Sequence, residues 1–119
     1  MERFKSFSHA INGFRLMWVE EHNFRIHLIT ALGACCLAYF LKLQPIEWVL
    51  ILFAIALVLT AEIGNTAIEN VCNFISPTID PRIKKIKDIS AAWVLLCALL
   101  ALIIAGVIFI PKVFVLFQN

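Results

Sequence analysis

Apolar residues along this chain gather into three long runs separated by short polar segments. Residues 91–110 (AAWVLLCALLALIIAGVIFI) carry no charge, and their only polar groups are the Trp93 N–H and the Cys97 thiol. That is the ~20 residues needed to cross the ~30 Å hydrocarbon core of a bilayer, and it predicts a transmembrane helix over 90–110. Residues 26–41 (IHLITALGACCLAYFL) form a second run with His27 near its start, predicting a span over 26–42. Residues 48–61 (WVLILFAIALVLTA) contain no charge and one hydroxyl; they predict a third span over 46–72 whose last two turns turn polar. Ahead of all three, Phe4, Phe7, Ile11, Phe14 and Trp18 recur at spacings of three and four. That period places them on one face of a helix over 3–22, with Lys5, Ser6, His9 and Asn12 elsewhere. Such a helix lies in the membrane interface or packs against the end of the bundle.

Composition agrees with this pattern. The chain has 119 residues, is 62% hydrophobic and has a mean hydropathy of +0.93. Soluble domains use roughly 45–50% apolar residues, and a soluble domain of this length could not hide the excess. The net charge of +2 is too small to point to nucleic acid. Arg3, Lys5, Arg15 and Arg25 precede the first span, and Arg82, Lys84, Lys85 and Lys87 fall in the connection over 74–89. Only Lys42 and Lys112 lie at the other ends. This bias predicts a multi-pass protein with its N-terminus and the 74–89 connection in the cytoplasm. The late start of the first span, with no cleavage site and soluble domain after it, argues against a signal peptide. Cys35, Cys36, Cys72 and Cys97 lack metal or redox spacing and read as small hydrophobes. Residues 1–119 thus form one all-α unit, an interfacial helix followed by three membrane spans. A bundle this thin, carrying buried carboxylates, is completed most economically by self-association.

The candidate chemistry lies in Glu62-Ile-Gly-Asn65-Thr66-Ala-Ile-Glu69, directly after the 48–61 run. On a helix, positions 62, 65, 66, 69 and 73 fall within about a third of the circumference. An ionisable group at membrane depth costs several kcal/mol and marks a functional site by default. Glu20-Glu21 with Arg25, the basic stretch Arg82–Lys85 and Lys87-Asp88 reach the same membrane face. Carboxylates with lysines at such a boundary suit a Mg²⁺-bound polyphosphate, and a deeper carboxylate suits a base for a lipid hydroxyl. The residues alone leave other readings open. Glu62 also suits proton-coupled transport or a structural hydrogen bond. Glu69, Glu20 and Glu21 also suit solvated charges, and the lysines a positive-inside anchor. With four glycines and no Gly-rich loop, a Walker or protein-kinase nucleotide site is excluded.

Three segments taken together resemble the prokaryotic diacylglycerol kinase family, which includes undecaprenol kinases: Trp18-Val-Glu-Glu21-His-Asn-Phe24-Arg25, Glu62 to Glu69, and Lys87-Asp88-Ile-Ser-Ala-Ala. The resemblance covers essentially the whole chain. It implies a homotrimer in the bacterial inner membrane with composite sites between subunits, Mg·ATP as donor and a membrane lipid alcohol as acceptor. By motif position Glu62 is the base, contacting the acceptor with Ala91, and Asn65 orients groups around the transferred phosphate. Glu21 and Glu69 are the Mg²⁺ carboxylates and also border the nucleotide. Lys87 and Asp88 contact the nucleotide, with Lys87 on phosphate; Arg3, His9 and Asp80 are further nucleotide positions. The chain departs from the family pattern at Asn73 and at His27, where carboxylates are expected. Gly64 inside the catalytic helix implies close helix approach or room for lipid.

Overall fold

The computed structural model describes residues 2–118, and all its regular elements are helices: α1 (Glu2–Glu20), α2 (His22–Phe40), α3 (Pro45–Ile75) and α4 (Pro81–Gln118). α2, α3 and α4 are each long and apolar enough to cross a membrane. α3 and α4 have 31 and 38 residues; at ~1.5 Å per residue both outrun a ~30 Å core and carry their polar ends beyond it.

Each boundary has a local cause. Glu21 leaves the helical region (φ −110°, ψ 105°), and its carbonyl accepts the Arg25 N–H at 3.3 Å to start α2. That single break turns the chain from the aromatic α1 into the first span. α2 ends in a Schellman pattern. The N–H of Leu43 bonds the Ala38 carbonyl and that of Lys42 the Tyr39 carbonyl, with Lys42 left-handed at φ 55°. Pro45 opens α3, where Glu47 Oε1 accepts the Gln44 N–H at 2.9 Å. Asp80 caps α4 by accepting the Arg82 N–H at 2.9 Å, with Pro81 as first helical residue.

The helices reach further than the apolar runs suggest. α2 starts at His22 rather than 26, α3 continues to Ile75, and the connection expected over 74–89 is confined to 76–80. Hydropathy locates the part of a helix that lies in lipid, whereas the helix itself ends at its caps. The basic residues 82–87 accordingly form the first turns of α4.

α3 packs most extensively against α4, and less so against α2. A small core of Ala38, Leu43, Ile51 and Ile108, flanked by Trp48, Ile104 and Phe109, closes the end away from Glu62. Lys112 Nζ meets Glu47 Oε1 at 3.0 Å at that end and ties α4 to the start of α3. Elsewhere the helices present long apolar side chains outward, as a lipid-facing bundle must.

Candidate active site

α2 and α3 run antiparallel, so the start of α2 and the end of α3 share one level. Glu62 lies there with only 7% of its surface exposed. His27 Nε2 from α2 stands 3.2 Å from Glu62 Oε1. One turn on, Thr66 is buried and lines a cavity of about 400 Å³ between α1 and α3, shared with Gly13, Met17 and Glu20. A second, mostly apolar cavity of about 330 Å³ begins at His27 and runs between α2, α3 and α4 toward Ile51 and Phe109.

The polar stripe of α3 divides between two neighbours. Asn65 and Asn73 turn to α4. Asn65 Oδ1 accepts from the buried Ser90 hydroxyl at 2.7 Å, and Asn73 Oδ1 accepts from Lys87 Nζ at 2.7 Å. Glu62 turns to α2, and the half-buried Glu69 is close enough to the α1–α2 junction to act on Glu21. Burial pushes the Glu21 carboxyl above its ordinary range, and repulsion from Glu69, Glu62 and Glu20 adds to it. Glu21, Glu62 and Glu69 thus form one electrostatic cluster drawn from α3 and the α1–α2 junction. Gly64 faces α4, where a Cβ would overlap the Trp93 indole; close helix approach is therefore the reason for this glycine.

Other residues singled out above lie apart from this cluster. Asp88 is exposed and paired with Lys84 at 2.6 Å. Asp80 is engaged by its capping bond and by Arg82 Nη2 at 3.1 Å, and these hydrogen bonds to Arg82 hold its carboxyl below the usual range. Ala91 is exposed on α4, and Arg3 and His9 are exposed in the first half of α1. Two residues gain importance from the fold. His27, an imidazole inside a membrane-length apolar run, carries the same signal as Glu62. The Arg25 Nε is buried without a hydrogen-bond partner, a donor that no local pattern marks. Among the described residues, no three His, Cys, Asp or Glu side chains converge as a ready-made metal cage.

The family description prokaryotic diacylglycerol kinase matches residues 8–109, which include α2, α3 and all of this cluster. The chain belongs to the prokaryotic diacylglycerol kinase family. Among similar proteins of that kind, an undecaprenol kinase of Bacillus subtilis (strain 168) is 35% identical over 92% of this chain and 89% of its own. A diacylglycerol kinase of Helicobacter pylori is 33% identical, with 75% of this chain and 70% of that one covered. The diacylglycerol kinase of Escherichia coli (strain K12) is 31% identical over 83% and 81%. A prokaryotic diacylglycerol kinase fold in this chain therefore means a membrane-embedded lipid kinase, with the Glu21, Glu62 and Glu69 cluster at one end of the bundle.

Proposed function

We propose that this lipid kinase transfers the γ-phosphoryl group of ATP to the primary hydroxyl of a membrane lipid alcohol, diacylglycerol or undecaprenol, at the cytoplasmic face. The placement of Glu62 carries this reading. It is a nearly enclosed carboxylate, 3.2 Å from His27 in the wall of an apolar cavity suited to lipid, and it shares an electrostatic cluster with Glu21 and Glu69 that suits a metal-bound polyphosphate. Glu62 takes the proton of the lipid hydroxyl as its oxygen attacks the γ-phosphorus and ADP leaves. Asn65, braced by Ser90, orients the transferring group, and Ala91 borders the acceptor.

Mg²⁺ fits the donor set. Glu21 is repelled by neighbouring carboxylates, and a hard cation relieves that repulsion. Mg²⁺ is held through one or two carboxylates plus phosphate oxygens, so Glu21 and Glu69 suffice without a full protein cage. When bound, it neutralises phosphate charge. Lys87 supplies a further positive charge to the phosphates, and the unpartnered Arg25 Nε is a donor of the right chemistry beside them. Asp88, Asp80, His9 and Arg3 border the nucleotide. The exposed apolar faces suit a homotrimer in a bacterial inner membrane, N-terminus inside, with sites completed between subunits. Family membership favours group transfer over proton-coupled transport through Glu62.

The test is phosphate transfer from labelled ATP in mixed micelles with Mg²⁺, offering diacylglycerol and undecaprenol in parallel. Wild type should label at least one lipid. Glu62→Gln should lower turnover by roughly 10²–10⁴-fold, the usual worth of a general base, while still binding nucleotide. Folded wild-type protein that labels neither lipid would sink the reading.

A further inference from the structure

We infer that His27 is a positioning residue for the phosphoryl-transfer base, holding one oxygen of Glu62 so that the other faces the acceptor hydroxyl. This rests on the kinase reading above. His27 Nε2 lies 3.2 Å from Glu62 Oε1, and the imidazole is a third exposed while the Glu62 side chain is 9% exposed. His27 is also part of the wall of the apolar cavity that starts at this level. An imidazole carrying its proton on Nε2 donates toward Oε1 and leaves Oε2 free. Such contacts often stand loose before substrate arrives and tighten in the reacting complex.

Among the described residues, no Lys, Arg or His nitrogen other than His27 Nε2 lies within 4.0 Å of the Glu62 carboxylate. On the cavity wall α4 contributes Ala98, Ala101 and Leu102, and α3 contributes Ile55, Val58 and Leu59, none of which titrates. Apart from Glu62, the charged groups nearest the start of α2 are Glu20, Glu21, Arg25 and Glu69. Three are carboxylates, which accept and cannot donate to Glu62 when ionised, and the Arg25 guanidinium has no ion pair with Glu62. The proton balance is simple. The lipid hydroxyl proton moves to Glu62 Oε2 as the new P–O bond forms and the bond to ADP breaks, and His27 gives up no proton.

The test compares His27→Leu, His27→Asn and His27→Gln with wild type in micelles. Gln places an amide N–H near the position of the imidazole Nε2, whereas Asn falls short of it. His27→Leu should lose roughly 10- to 100-fold in kcat, the worth of one hydrogen bond to a charged group, with KM for ATP unchanged. His27→Asn should resemble it, and His27→Gln should recover most of the loss. Independently of activity, the ¹⁵N resonances of the His27 ring should shift on Glu62→Gln. An active wild type with His27→Leu equally fast, with His27→Gln no better than His27→Leu, or with a ring spectrum indifferent to Glu62→Gln overturns this inference alone. A wild type that phosphorylates neither lipid overturns the kinase reading and this inference together. Thermal unfolding of each variant identifies any rate loss caused by misfolding, and His27→Gln then decides the outcome.

Discussion

The indole of Trp93 on α4 occupies the space where a Cβ on residue 64 of α3 would stand. Gly64 lies between Glu62 and Asn65, so this contact sets the spacing of α3 and α4 at the level of the proposed base. A helical Gly costs about 1 kcal/mol relative to Ala, and the Trp93 contact explains why it is nonetheless tolerated.

Gly64→Ala should therefore destabilise despite its better helix propensity. Trp93 is 42% exposed and can swing outward, which keeps the loss near the low end of the ~1–3 kcal/mol typical of overpacking. In a Trp93→Leu background the same substitution should be neutral or stabilising. Thermal unfolding of the four proteins in detergent reads the coupling; additive effects would contradict the contact.

Ser90 braces Asn65 through a 2.7 Å hydrogen bond in a buried setting. Ser90→Ala leaves the Asn65 oxygen without that donor and should cost about 1–3 kcal/mol of stability. If Asn65 orients the transferred phosphate, kcat should also fall while KM for the lipid stays put. Steady-state kinetics with both substrates varied would show this.

Glu21 carries a proton more readily in the folded chain than in the unfolded one, since burial and neighbouring carboxylates raise its pKa from 4.5. Between the unfolded and folded values the folded state binds more protons, so stability falls as pH rises through that window. Above it the repulsion is fully present. Glu21→Gln should accordingly melt higher than wild type at neutral pH while losing lipid phosphorylation. Added Mg²⁺ should raise the melting temperature of wild type and not that of the variant. Melting curves with and without MgCl₂ across pH 4–7 check both statements.

Asp80 shows the opposite sign. Its pKa is lowered from 3.8 by hydrogen bonds from Arg82, so the stability it adds is present above its unfolded value and lost as pH falls through the folded one. Asp80→Ala should lower the melting temperature at neutral pH by removing the cap of α4. Asp80→Asn, which still caps, should do so less and should lose the acid sensitivity. Melting followed from pH 6 to pH 2 distinguishes them.

Much of this protein was legible in its residues. The three apolar runs fix three spans because hydropathy is a local property read against a known membrane thickness. Glu62, Asn65 and Glu69 stand out because polar groups in such a run demand a reason. What the residues could not give was the rotation of each helix about its axis and its depth against its neighbours. Those decide that Asn65 and Asn73 turn to α4 while Glu62 turns to α2. They also pair His27, thirty-five positions away, with Glu62. The same holds for helix ends: caps such as the Lys42–Leu43 turn and Asp80 set them, and they make the basic residues 82–87 the first turns of one continuous α4. Local pattern determined which segments lie in the membrane and which side chains are costly there. Packing between antiparallel helices, which depends on contacts far apart in the chain, decided which of those side chains meet.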